Sequence, residues 1–161
     1  MAELIDGLGR WLEGTGLHQT MQTVEWAVPA VQTVHILAIA AVFASSLALA
    51  LRVFQVAGSD WSAAQWRARL DGWVVWGLVV LLLSGAMMIA GEPGRALNNA
   101  LFQTKMILLL LALALFFALS RGVKGLMRLD QPTPGGVRLL AALLVLVWLA
   151  IIVCGRWIAY T

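Results

Sequence analysis

Four stretches of this chain are long and apolar enough to cross a bilayer, and they constrain the fold more than any other feature. A spanning helix needs roughly 20 mainly apolar residues. The stretches run from about Pro29 to Val53, Trp73 to Ala90, Leu101 to Ser120 and Val137 to Ile158. Each is continuous and rich in Leu, Val and Ala, whereas a membrane β-strand alternates apolar with polar residues. The expectation is an all-α fold, a four-transmembrane-helix bundle forming one domain over residues 1–161. Composition agrees, with 61% of the residues hydrophobic and 12% charged. Soluble domains run near half and about a quarter, and one small domain cannot hide that much apolar surface from water. A soluble enzyme and a disordered chain are both excluded.

Lys and Arg in short loops set the direction of insertion. The connection after the first span holds Arg52, Arg67 and Arg69; the connection after the third holds Arg121, Lys124 and Arg128, with Arg138 opening the fourth span. The opposite side has Arg10, Arg95 and Arg156 among the acidic Glu3, Asp6, Glu13, Glu25 and Glu92. Seven basic residues against three place the two connections in the cytoplasm. The expected location is a bacterial inner (plasma) membrane, multi-pass, with the N-terminus and C-terminus both outside in the periplasm. The net charge of +3 and pI near 9.8 are then a topology signal and imply no nucleic-acid partner.

Residues 1–28 read as a segment lying on the outer interface. No basic start followed by an apolar run marks a cleavable signal peptide in residues 1–20. Leu4, Leu8, Trp11 and Leu12 share one helical face, with Glu3, Asp6, Arg10 and Glu13 elsewhere, as in a short amphipathic helix. Gly14 to Gly16 breaks it, and a second short helix carries Leu17, Met21, Val24 and Val28 before Pro29 starts the first span. Trp26, Trp61, Trp66, Trp73 and Trp157 fall near span boundaries, where tryptophan anchors at headgroup level.

Ionisable residues inside spans are costly and are functional candidates by default. His35 lies about two turns into the first span, with Gln32 three residues earlier and Ala38 and Ser46 on the same side. The second span brings Ser84, Gly85, Met87 and Met88 to the same outer level. The third brings Lys105 and Met106, and the fourth ends with Cys154, Gly155, Arg156 and Tyr160. The inner half is almost uniformly apolar, so polar residues of all four spans converge on one level. Bland roles suit each residue as well: snorkelling for Lys105 and Arg156, a structural hydrogen bond for His35, and packing for the methionines and Cys154.

Three chemistries fit this set. Soft donors suit copper(I), with His35, Met87, Met88, Met106 and Cys154 as the ligand types, although no compact Met-x-x-Met or Cys-x-x-Cys spacing occurs. A haem b would take His35 with Met88 as axial ligands; the other histidine, His18, lies in the outer segment, and two histidines exclude a two-haem relay with bis-His ligation. An anion clamp would use Lys105 and Arg156, with His35, Gln32 and Tyr160 adding hydrogen bonds. No P-loop, G-x-S-x-G, H-E-x-x-H or glycine-rich dinucleotide turn is present, which points away from an enzyme.

These residues resemble those of a group of bacterial four-span membrane proteins classed as a domain of unknown function. The carriers are Trp26, Pro29, His35 and Leu51-Arg52, then Trp76-Gly77 and Ser84-Gly85. Asn98 or Asn99 follows with Phe102 and Lys105, and then the ending Gly155-Arg156-Trp157-Ile158-Ala159-Tyr160. Members often carry an acid three residues before the histidine, where this chain has Gln32. The arrangement is also distantly similar to the membrane part of CopD-like copper-resistance proteins. The resemblance implies no established activity, but it singles out His35, Lys105 and Arg156.

The leading expectation is a non-enzymatic inner-membrane protein with a ligand- or metal-binding site in the outer half of the bundle, with copper handling first on donor type. A small cytochrome b-like electron-transfer subunit and a structural accessory subunit of a membrane complex are the alternatives. The partners expected are the lipid bilayer and, through small residues on the spans, a second copy or a larger membrane complex.

Overall fold

Each apolar stretch forms one long helix in the computed structural model, which describes residues 2–97, 99–126 and 132–157 (for 2–6 and 95 the backbone alone). The spanning helices are α3 (Ala27–Val53), α4 (Ala63–Gly91), α6 (Ala100–Val123) and α7 (Gly135–Trp157). Three short helices accompany them: α1 (Ala2–Glu13), α2 (Gly16–Thr23) and α5 (Pro93–Leu97). The described residues contain no strand.

Local chemistry explains the boundaries. Thr15 caps α2 by accepting from the His18 N–H at 3.3 Å, which ends the Gly14–Gly16 break. Pro29 sits in the first turn of α3, where its missing N–H costs nothing. Asn99 caps α6 by accepting from the N–H groups of Leu101 and Phe102 at 2.8 and 3.3 Å. The second spanning helix begins at Ala63, well before the apolar stretch that opens at Trp73. Its start is set by a capping box: the Gln65 N–H donates to Ser62 Oγ at 3.2 Å, and the Ser62 N–H donates to Gln65 Oε1 at 2.8 Å. Arg67, Arg69 and Asp71 therefore ride on helix, with Arg67 and Asp71 paired at 2.7 Å one turn apart. The fourth span's expected last residue, Ile158, lies outside the described residues.

α3 packs along α4, α6 along α7, and α3 joins the pairs by packing on α7, whereas α4 and α6 touch only sparsely. The core is a column of apolar side chains that includes Val42, Leu49, Leu119, Leu144, Trp148 and Ile151. α3 and α4 approach closely at Gly77, where a Cβ would overlap Val42 Cγ2. About a third or less of each apolar window is buried (33, 33, 28 and 28%). The remainder faces outward with side chains such as Trp76, Leu82, Ile107 and Leu110, each more than two-thirds exposed. Such a surface is stable only in contact with lipid, so the chain is a multi-pass membrane protein.

The two ends of the bundle differ. At one end the α3–α4 connection is folded on itself: Arg52 is buried and its Nε donates to the Trp61 carbonyl. Trp66 Nε1 donates to the Gly58 carbonyl at 3.0 Å, and the Trp61 and Trp66 rings lie 5.8 Å apart with the Arg69 guanidinium 4.6 Å over Trp61. Gly58 has φ +73, and a Cβ there would stand 2.7 Å from the Trp66 ring nitrogen, so both conformation and space require glycine. Arg67 Nε also donates to the buried Ser120 Oγ at 3.1 Å, tying α4 to α6. Trp61 in the connection and Trp66 in the first turn of α4 are thus half-buried, while Trp26, Trp73 and Trp157 are the exposed boundary tryptophans.

At the other end α1 packs on α5, and α2 packs on the last turn of α4. His18 Nδ1 lies 2.9 Å from the Ala90 carbonyl oxygen, and Gln22 Nε2 donates to the Gly91 carbonyl at 2.8 Å. These are carbonyls that a helix C-terminus leaves without an intrahelical donor. Met21, buried between them, lies against Gly91. The expected apolar positions of α1 are not all covered, since Leu8 is 49% and Trp11 67% exposed.

Candidate functional site

His35 projects from the α2-end half of α3 and is half-buried. Its Nδ1 lies 2.8 Å from Ser84 Oγ on α4. Ser84 is buried, and its hydroxyl donates back along its own helix to the Val80 carbonyl at 2.6 Å, the usual i−4 bond of a helical serine. Gly85 stands beside the ring; a Cβ there would come 3.6 Å from His35 Cε1. The next two helices close the group. Lys105 of α6 is half-buried, and its Nζ lies 3.6 Å from where a Gly155 Cβ on α7 would be. Small residues at 85 and 155 thus leave room beside the imidazole and beside the ammonium.

The charge balance of this group is one-sided. No acidic residue occurs in α3, α6 or α7, and Asp71 of α4 pairs with Arg67 at the far end. Among the described residues no carboxylate pairs with Lys105. Among the described residues no buried polar side-chain atom lacks a partner, so neither the His35 Nε2 nor the Lys105 Nζ, for which no hydrogen bond is seen there, is sealed off.

The structure pairs His35 of α3 with Ser84 of α4 and sets Lys105 of α6 against Gly155 of α7, all four at positions that the sequence singled out. Gln32, expected beside His35, is exposed. Met87, Met88 and Met106 are half-buried, and Arg156 is exposed at the end of α7. Tyr160 lies outside the described residues. No three His, Cys, Asp or Glu side chains gather in a metal-holding group among the described residues. Farther along the bundle, Ser46, Val74, Phe116 and Trp148 line a gap of about 10 Å³, room for one water at most. The contact between His18 and Ala90 was not expected from the sequence; a histidine near the start of a short interfacial helix gives no sign of a partner 72 residues away.

No curated protein and no solved structure matches the chain. A family model described as a family of unknown function (DUF6644) matches residues 11–161. That match takes in all four spans together with His35, Ser84, Lys105 and Gly155, and the chain belongs to this family.

Proposed function

We propose that this protein is a non-enzymatic membrane protein that holds the anionic head group of a lipid at the α2 end of its bundle. Lys105 supplies the charge and His35 a directional hydrogen bond. The observation that carries this reading is an ammonium set among four apolar helices with no carboxylate beside it. A cation within a span is costly unless something pairs with it, and an anionic oxygen is the pairing that the surroundings lack. The sparse contact between α4, which carries Ser84, and α6, which carries Lys105, suits entry from the bilayer. The periplasmic leaflet of an inner membrane is the proposed location of the site, by the excess of Lys and Arg at the opposite end.

The same ammonium weighs against copper handling, because a fixed positive charge next to the imidazole repels a metal cation. The test is retention of lipid by the protein purified in mild detergent, read by native mass spectrometry. Phosphatidylglycerol retained in preference to phosphatidylcholine, with the preference lost in Lys105→Ala, supports the reading. Equal retention of the two lipids overturns it. Binding of inorganic phosphate with the same dependence on Lys105 moves the ligand from lipid to a soluble anion. Copper or a Soret band that disappears in His35→Ala restores the metal or haem reading.

A further inference from the structure

Ser84 has one hydroxyl proton and three neighbours that compete for it, of which the Leu81 carbonyl oxygen, at 3.4 Å, is the most distant. Its oxygen stands 2.6 Å from the Val80 carbonyl oxygen and 2.8 Å from His35 Nδ1. Two acceptors at 2.6 Å repel each other unless a proton lies between them, and that distance is within the range of an O–H···O bond. The proton therefore belongs to the bond with Val80. Ser84 Oγ must then act as acceptor toward His35, so Nδ1 carries the N–H. In a neutral imidazole one nitrogen donates and the other accepts, which leaves Nε2 with its lone pair exposed to the site. Nε2 has no protein donor among the described residues and is not sealed off.

The site thus presents one acceptor, His35 Nε2, and one cationic donor, Lys105 Nζ. A carboxylate or a bare phosphodiester offers only acceptors. It satisfies Lys105 but sets a lone pair against a lone pair at His35. A head group with a hydroxyl close to its anionic oxygen satisfies both. We infer that the ligand is an anionic lipid whose head group bears free hydroxyls, of the glycerol phosphodiester type, with a head-group O–H donating to His35 Nε2 while the phosphate oxygen meets Lys105. This inference rests on the lipid head-group reading above and narrows it to a chemical class.

The experiment compares three lipids on the full-length protein by native mass spectrometry after exchange into mixed micelles. They are phosphatidylglycerol, phosphatidylmethanol (the same phosphodiester charge with no hydroxyl) and phosphatidylcholine. The expected order places phosphatidylglycerol about fivefold above phosphatidylmethanol, the worth of one hydrogen bond, and phosphatidylmethanol above phosphatidylcholine. His35→Phe should abolish the first difference and keep the second. Equal retention of both anionic lipids, each above phosphatidylcholine, overturns the hydroxyl inference and leaves the anionic reading standing. Equal retention of all three overturns both. Should His35→Phe fail to fold, ¹⁵N NMR of histidine-labelled protein decides, with His18→Gln used to assign the signals. A protonated Nδ1 and a bare Nε2 support the inference, and the opposite tautomer overturns it.

Discussion

The His18 ring nitrogen Nδ1 lies 2.9 Å from the carbonyl oxygen of Ala90, and one turn later Gln22 Nε2 reaches the carbonyl of Gly91 at 2.8 Å. One short helix thereby caps the end of a spanning helix through side chains. The contact matters because α2 has only eight residues, too few to be stable alone in water. Its order depends on what it docks against. His18→Ala and Gln22→Ala should each cost about 1 kcal/mol of docking free energy. Amide exchange across residues 16–23 should accelerate about fivefold for each change and more in the double variant, with little effect on the centres of α3 and α7. Unchanged exchange in the double variant would show that Met21 packing holds α2 without these bonds.

Gly77 carries the close approach of α3 and α4, since a Cβ there would overlap Val42 Cγ2. Helix pairs in membranes use small residues to bring backbones together, and Val42 is almost fully buried, so it has little freedom to move aside. Gly77→Ala should destabilise the protein by about 1–3 kcal/mol, the usual cost of overpacking. Val42→Ala on the same chain should recover much of the loss, because the two changes act on one contact and are not additive. Thermal unfolding of the four proteins in detergent measures the coupling. A purely additive pair would place the clash elsewhere.

The spans were legible because an apolar run of bilayer length has few other fates, and convergence on one level was legible because the few polar residues stood out against it. The start of α4 was missed by reading hydropathy alone. Arg67, Arg69 and Asp71 interrupt the apolar run but not the helix, and the signal that marks its start is the Ser62–Gln65 capping box. The i, i+3 spacing puts Gln32 on the His35 side of α3, yet Gln32, nearly one turn closer to the end of the bundle, is exposed where His35 is half-buried. Ser84 could be placed at the level of His35 but not paired with it, since the sequence gives depth along each helix and says little of rotation about it. The His18–Ala90 bond had no local signal at all, because its acceptor is a backbone oxygen that every residue possesses.

Orientation rests on charge, and three of the charges named for it, Arg121, Lys124 and Arg138, are exposed at the end opposite α2, while Arg52 is buried there. In a Cys154→Ala background, Lys124→Cys should resist a membrane-impermeant thiol reagent added to intact spheroplasts and react after lysis. Labelling without lysis would reverse the orientation and put the His35–Lys105 level in the cytoplasmic leaflet.

Lys105 gives a prediction whose sign depends on the lipid. Without an anion, its ammonium has no carboxylate partner among the described residues, and a cation at the centre of a span costs about 2.5–3.5 kcal/mol. Lys105→Met keeps a flexible chain of similar length and removes the charge. In phosphatidylcholine the variant should therefore unfold at a higher temperature than the native protein, because a cost has been removed and no partner lost. In phosphatidylglycerol the native protein gains the charge-assisted bond, and a ligand bound to the folded state stabilises it; the variant gains nothing there. The order of the two melting temperatures should then narrow or invert between the lipids. A variant less stable by the same amount in both would mean that Lys105 serves packing alone, through its methylene stem against Gly155, and the anion site would have to be sought elsewhere.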